Sequence, residues 1–523
     1  MKLRRNVIKQ FVILVVFFGA FFIFFSLLYQ QYATMEAFPI WDVGVNLMSI
    51  YLATHNLTFS NVIFTFFYKF PLLYSFFIKT AFEAVIWQAV VTSSPIIPIY
   101  YLTKELTKSE GKAYLAIWLY IINPAVYGEN FMPFHMQNLF VPFFISMYYF
   151  KIKDKVIPAT VLAILASTVR FPYVLLVLWY ALTERERNRT WKYILLASSI
   201  VMIGSLILSL AGFNGFNVLN QSHLTSGNGK SNIGFDPLNI ITPLTILASV
   251  YFVYDWFAIN LIPAFILLTI NTYMPLSFPY IFLFQYGSLY LPLLFITVAR
   301  TLAKVRNVRK EMRYALAFII PTFLLLSVVS PISITAHDAF GGPYTTLASY
   351  PDRVQVFNQV ADLIPRNASV ITTPNLPELY PRVPEDLYPL IIPGLNVTSF
   401  NFAKNQYTVY DSNTNQMINV SVDYIVLDIT YHLDNQSIAL LNLFYKNGYG
   451  IYAVDVWFVV LKYNYTGPPV IFNPPSFVVH KSSTIFLIPA VYKNADIIGV
   501  QNDTVQSFGY YDVVGNGTLS MIK

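Results

Sequence analysis

The sequence predicts a polytopic α-helical membrane protein with about eleven spans, followed by an extracytoplasmic α/β domain and a β-rich tail. Three observations predict it. Of 523 residues, 56% are hydrophobic, 17% aromatic and only 11% charged, and the mean hydropathy is +0.54. A soluble chain carries roughly a quarter charged residues, so long apolar runs with this little charge mean that lipid is part of the solvent. The basic residues fall in short clusters between those runs, which is the positive-inside pattern of cytoplasmic loops. That pattern accounts for the net charge of +7 and argues against a nucleic-acid partner. From about Ser333 the apolar runs shorten while Pro, Asn, Asp and Thr rise, which marks a different solvent. Cysteine is absent, which excludes disulfides, cysteine–zinc sites and thiol catalysis.

The clusters set the topology. They are Lys2 to Lys9, Lys104 to Lys112, Lys151 to Lys155, Arg185 to Lys192 and Arg300 to Arg313. If all are cytoplasmic, the spans between them come in pairs. Phe11 to Tyr32 follows the first cluster, lacks a small-x-small cleavage site and is read as a span rather than a cleaved signal. A long outer loop follows, with an aromatic stretch from Asn61 to Thr80 lying along the membrane surface. Spans then fit Ala81 to Leu102, Ala113 to Val126 and Phe134 to Phe150. Val156 to Tyr180 is either two short passes broken at Arg170-Phe171-Pro172 or one kinked helix. The pair is preferred because both flanks are basic. Trp191 to Ala211 is the next span, followed by a polar outer loop from Asn214 to Asn239. Ile241 to Val298 holds three passes, turning near Asp255-Trp256 and near Pro275 to Pro279. Tyr314 to Pro331 is the last, leading out. The N-terminus is thus expected in the cytoplasm and the C-terminal region outside it.

The outer region reads as α/β over 333–466, with a β-rich appendage over 467–523. Asp352 to Leu363 has a helical pattern, Ala368 to Thr372 and Val422 to Ile429 are strand-like, Ser437 to Lys446 is helical, and Gly450 to Lys462 is a strand. Seven Asn-x-Ser/Thr sequons fall here, at Asn367, Asn396, Asn419, Asn435, Asn464, Asn502 and Asn516. A single sequon says little, but seven in one segment fit a domain on the glycosylating side.

Function is sought where polar groups gather beside lipid. The outer ends of the spans hold Asp42, Lys69, Glu83, Glu129, His135, Arg170, Gln285, Tyr286 and His337, whereas the inner ends hold mostly loose basic residues. This one-sided distribution implies a cavity opening outward. Asp42 lies in Ala37-Phe38-Pro39-Ile40-Trp41-Asp42-Val43-Gly44. A carboxylate among aromatics is partly desolvated and suited to proton abstraction, but the same Asp is an equally good helix N-cap. His135 could act as a general acid, a phosphate contact or a metal ligand, or simply be hydrogen-bonded. Arg170 offers the paired donors of a phosphate clamp. No Walker loop, dinucleotide glycine motif, HExxH or Cys/His metal spacing occurs. A transporter is disfavoured, since there is no internal repeat and no mid-membrane charge pair.

Several short motifs, in order, resemble those of a bacterial and archaeal family of predicted membrane proteins with no assigned function, which is itself similar to the GT-C membrane glycosyltransferases. Trp41-Asp42-Val43-Gly44 resembles its Phe-Asp-x-Gly after the first span. Asn130 to Gln137 resembles its aromatic-Asp-Phe-His-Pro-Glu segment, and Gln285 to Pro292 its Gln-Tyr stretch ending in Pro. Val360 to Val370 and Asp423 to Asp428 resemble its passages at the start of the outer domain. Together these span residues 11 to about 465. The resemblance implies a GT-C-like fold and transfer of a sugar from a polyprenyl-phosphate donor to an extracytoplasmic acceptor. It implies that Asp42 serves as base or metal ligand. Lys69, His135, Arg170, Gln285 and Tyr286 are the candidate substrate-binding residues. It leaves a divalent metal open as cofactor.

The chain also departs from that pattern. A family His before aromatic-Ser-Pro is replaced around Tyr68-Lys69-Phe70-Pro71, the Glu after His-Pro becomes Gln137, and an expected acidic pair becomes Phe171-Pro172. Two readings follow: a glycosyltransferase with a different substrate, or a degenerate member that serves as an accessory subunit of a membrane or envelope complex. Partners expected on either reading are membrane lipids, with a lipid-linked sugar or protein subunits added.

Overall fold

The computed structural model describes residues 2–34, 43–44, 46–47, 50, 74, 76–131, 134–169, 171–210, 247–271, 287–327, 329–330, 332, 353–372, 376, 379, 400–411, 416–428, 443–444, 446–454, 458–467, 470–471, 486–489, 497–498, 505–508, 511–514 and 521–522. The chain divides into two compact units, residues 1–30 with 49–348 and residues 31–48 with 349–523. The second unit includes a stretch from near the N-terminus.

The first unit is helical. Helix α1 runs Lys2–Thr34, its last turn crossing into the second unit's residues, α2 Ala81–Ser93, α3 Ile96–Thr107, α4 Glu110–Ile121 and α5 Pro124–Phe131. A 3-10 turn at Met136–Leu139 leads into α6, Phe140–Ile152. Then come α7 Val156–Thr168, α8 Phe171–Thr183 and α9 Arg189–Leu210. Further on, α10 spans Leu261–Asn271, α11 Leu291–Lys304 and α12 Val308–Leu326. Three described stretches are long and apolar enough to cross a membrane: Gln10–Gln30, Ala81–Thr107 and Arg189–Ile207. Shorter apolar helices occupy Val156–Thr168, Tyr173–Thr183 and Trp256–Ile266. Phe11, Phe18 and Phe22 on α1 and Ile200, Ile203 and Ile207 on α9 are exposed. Rows of large apolar side chains facing outward are ordinary where the solvent is lipid.

Local chemistry explains the element ends. Thr80 and Glu83 form a reciprocal capping box that starts α2, with the Lys79 N–H also donating to the Glu83 carboxylate at 2.6 Å. Pro95 separates α2 from α3, and Asn123 separates α4 from α5, its side chain accepting from Ala125 N–H at 2.9 Å. On α7 the fully buried Ala159, Ala163 and Ala166 form a small-residue stripe, and α6 and α9 both pack on this helix.

Residues 156–183 form a hairpin, not one kinked helix. Lys151, near the end of α6, pairs with Glu184, just past α8, at 3.2 Å. A continuous helix would carry residues 155 and 184 roughly 43 Å apart.

The second unit carries helix α13, Arg353–Asp362, and a five-stranded mixed sheet. Strands are β1 Val370–Thr372, β2 Phe400–Asn401, β3 Gln406–Asp411, β4 Gln416–Ser421, β5 Tyr424–Asp428, β6 Tyr449–Val454, β7 Phe458–Tyr463 and β8 Val470–Ile471. The sheet order is β1-β5-β7-β6-β8, while β2, β3 and β4 form a separate meander. The expected single strand Gly450 to Lys462 is corrected: it is an antiparallel hairpin of β6 and β7. Its length exceeds the usual strand of about 5–6 residues, and folding back pairs both halves while burying Phe458 to Leu461. Most of the expected helix Ser437 to Lys446 lies outside the described residues. Beyond residue 467 the described segments are strands, including an antiparallel sheet of 505–508, 511–514 and 486–489.

Candidate functional site: a polar junction opposite the basic end

Four of the basic clusters meet at one end of the helical unit. Lys112 Nζ donates to the carbonyls of Leu302 and Val305 at 2.8 and 2.7 Å. Glu105 pairs with both Lys108 and Lys153. Asp154 accepts from the N–H and hydroxyl of Thr190, at 3.1 and 2.7 Å. Asp255 accepts from Arg300 at 2.9 Å and forms an ion pair with Lys304 at 2.7 Å, and Arg300 continues to the Tyr148 hydroxyl at 2.7 Å and Glu186 at 3.2 Å. The Trp256 ring lies under both Arg185 and Arg300 guanidinium groups. The expectation of loose basic residues at this end is thus corrected. Glu105 pairs locally with Lys108, but its bond to Lys153 and the counter-charges at Glu184 and Asp255 come from other helices and turns, which a linear sequence does not reveal.

The opposite end follows from helix direction. α4 starts, and α6, α8 and α11 finish, at the basic end. The α5–α6 connection, the beginning of α8 and the beginning of α11 therefore share the far end. Gln88 lies 19 residues before Thr107, and Ser288 lies 16 before Lys304. At helical rise these separations are roughly 24–28 Å, comparable to a hydrocarbon core of about 30 Å.

There a buried polar junction is assembled from α2, α5, α8, α11 and two 3-10 turns. Glu129 on α5 is 3% exposed and accepts a short hydrogen bond from the Ser288 backbone N–H. Gly287 eases this approach, because a Cβ there would sit 3.1 Å from both Cγ and Oε1 of Glu129 and press on that side chain. Ser288 Oγ shares a 2.6 Å hydrogen bond with the Tyr173 hydroxyl. Gln88 bridges the two sides: its Nε2 donates to the Glu129 carbonyl at 3.3 Å, and its Oε1 accepts from His135 N–H at 3.2 Å. Asn130 Nδ2 donates to the Phe24 carbonyl at 3.1 Å and holds α5 against α1. Phe134, 1% exposed, takes φ of 59°, a strained conformation for a bulky side chain, and turns the chain into His135. His135 and Gln137 are buried beside it.

Several groups in this junction have no partner. Glu129 Oε2 accepts no hydrogen bond, and Asn138, 4% exposed, has both Oδ1 and Nδ2 unmet. Among the described residues no cation pairs with Glu129, and no group of three His, Cys, Asp or Glu side chains could hold a metal. Glu83, by contrast, is committed to the α2 cap.

Of the sequence-expected site residues, His135 is described and lies in this junction. Asp42, Lys69, Arg170, Gln285, Tyr286 and His337 lie outside the described residues. Described neighbours of two of them meet directly, Tyr173 with Ser288. Sequence reasoning passed over Gln88, Asn138, Tyr173 and Ser288. Gln88 carried a readable signal, an amide inside an otherwise apolar helix. Among the sequons, Asn367, Asn419 and Asn464 are exposed. Asn396, Asn435, Asn502 and Asn516 lie outside the described residues. The motif residues of the second unit serve its fold, with Asp423 accepting from the N–H and hydroxyl of Ser369 where β1 runs parallel to β5.

Comparison with curated proteins gives no match. Residues 52–455 match the sequence model of a family of predicted membrane proteins, DUF2079, and the chain belongs to that family.

Proposed function

We propose that the chain is a membrane glycosyltransferase of GT-C type, moving a sugar from a polyprenyl-phosphate donor to an extracytoplasmic acceptor. The observation that supports this reading is the segregation just described. One end of the helical unit gathers ion pairs between helices. The other, a membrane thickness away, buries a carboxylate, carboxamides and hydroxyls beside His135. A lipid-linked donor enters sideways from the bilayer, so its polar head must be received at such an end. On this reading Asp42 is the base or metal ligand, and Lys69, His135, Arg170, Gln285 and Tyr286 bind the donor head. The basic end faces the cytoplasm with the N-terminus, residues 333–523 lie outside with the tail from 467 as an appendage, and some of the seven sequons carry glycans.

The test is transfer from a polyprenyl-phosphate sugar panel to endogenous acceptors in vesicles. Asp42→Asn keeps the shape, removes the basicity, and is expected to cut transfer by roughly a hundredfold or more with thermal stability unchanged. Full activity in that variant removes Asp42 from the chemistry. The second reading, an accessory subunit on the same fold, is favoured by Gln137 and Phe171-Pro172 standing where the family pattern is acidic. No transfer by the wild type with any donor selects it.

A further inference from the structure

The buried groups left unmet at the polar junction are informative by their inventory. Glu129 Oε2 is a buried carboxyl oxygen without a hydrogen-bond partner. Asn138 offers an unmet acceptor and an unmet donor on one planar amide. Burying such groups is costly, and native structures leave few of them. Gln88 joins the two neighbourhoods through the Glu129 carbonyl and the His135 N–H, and His135 O accepts from Asn138 N–H at 3.1 Å. The turn Met136–Leu139 packs on α2 and on the turn Gly287–Leu289, which in turn packs on α5.

Three ligand classes can be weighed against this inventory. A phosphate needs cationic partners, and none pairs with Glu129 among the described residues. A bare metal cation satisfies the oxygens but leaves Asn138 Nδ2 unmet. A hydroxyl both donates and accepts, so adjacent hydroxyls on one ring answer a carboxylate oxygen and both faces of a carboxamide. We propose that Glu129 and Asn138 form a binding subsite for the hydroxyls of a neutral sugar ring. Glu129 Oε2 accepts from one hydroxyl while Oε1 stays anchored on Ser288 N–H, and Asn138 donates to and accepts from others. Tyr173 and Gln88 are positioning residues, holding Ser288 and the α5–α6 connection in place. This assignment rests on the glycosyltransferase reading for its biological sense, but not for its test.

The full chain in detergent or nanodiscs is titrated with neutral hexoses and pentoses, with thermal unfolding and intrinsic tryptophan fluorescence as readouts. At least one sugar is expected to raise the wild-type midpoint saturably. Glu129→Gln turns the free acceptor into a donor and should weaken binding by about tenfold or more. Asn138→Leu should abolish binding while leaving the sugar-free protein as stable as wild type or more so, because it removes an unmet buried amide. That stability gain separates a ligand group from a structural one. No sugar-dependent shift in the wild type, or shifts unchanged in both variants, overturns the proposal. Loss of sugar-free stability in Asn138→Leu also overturns it, by showing a structural role. Stabilisation by sodium over potassium at constant ionic strength, lost in Glu129→Gln but kept in Asn138→Leu, replaces it with a cation site. Sugar binding without transfer would retain this subsite and dismiss the enzymatic reading. Transfer with an unaltered donor KM in both variants would do the reverse.

Discussion

The two ends of the helical unit are made from the same apolar helices, yet they treat buried acids in opposite ways. At the basic end, Glu184 sits against Lys151 with both side chains almost wholly buried, and Asp255 is held by Arg300 and Lys304. At the far end Glu129 has one oxygen on a backbone N–H and the other on nothing, and the Asn138 amide is unmet on both sides. Pairing is what a buried ion needs to persist. Where a buried acid lies against a cation the residues are explained by the fold. Where such pairing is absent, at a cost of about 1–3 kcal/mol for each unmet group, the residues call for an explanation outside the folded chain.

The largest effect that could break this contrast lies at the basic end. Lys151→Met leaves Glu184 buried and uncompensated and should cost about 3–5 kcal/mol, read as a fall in unfolding free energy in detergent. The double variant Lys151→Met/Glu184→Gln should recover most of it. A single variant as stable as wild type would mean that the ion pairs do not hold this end together.

Acid should act at the same end. Burial raises the pKa of Asp255, but Lys304, the Phe257 N–H and Arg300 together hold it below the ordinary carboxylate value. With the folded pKa below the unfolded one of about 3.9, its stabilisation is fully present above that value and is lost as pH falls through the folded pKa. Asp255→Asn should therefore be less stable than wild type at neutral pH, with the two unfolding curves converging in strong acid. A constant gap down to the lowest pH measured would assign the effect to packing.

A small effect is expected at the other end. Glu129→Gln keeps the acceptor that meets Ser288 N–H, so stability without ligand should stay within about 1 kcal/mol of wild type. A loss as large as that of Lys151→Met would make Glu129 a structural residue and erase the contrast.

The smallest expected signal is at Asn188. Its amide nitrogen donates to the Lys151 carbonyl at 2.6 Å, while its oxygen accepts from Trp191 N–H at 3.0 Å. It should carry no glycan, whereas Asn367, Asn419 and Asn464 are open to modification. Intact-peptide mass spectrometry checks all four, and a glycan at Asn188 would also reverse the assigned side of the basic end.

The sequence by itself determined what depends on local pattern. Apolar run length marked the helices, and the Thr80–Glu83 spacing gives α2 its cap. The basic residues flanking Val156 to Tyr180 foretold a hairpin, since both ends had to return to the same side. Short apolar, β-branched runs marked Val370–Thr372 and Tyr424–Asp428, though not the reversal between β6 and β7, because a lone Asp455 between two apolar runs reads equally well as a polar position within one strand.

Only the tertiary structure decided which polar residues are satisfied. Glu83 and Glu129 look alike in sequence, two acids near the outer ends of spans, but one closes a helix cap within four residues while the other meets Ser288 across 159 positions of chain. Asp255 reads as a turn residue until Arg300 and Lys304 fold against it. The physical reason is range. Caps, helix periods and charge clusters are written within a few neighbouring residues. Whether a buried oxygen finds a donor depends on backbone and side chains that come from distant segments and are brought together by packing.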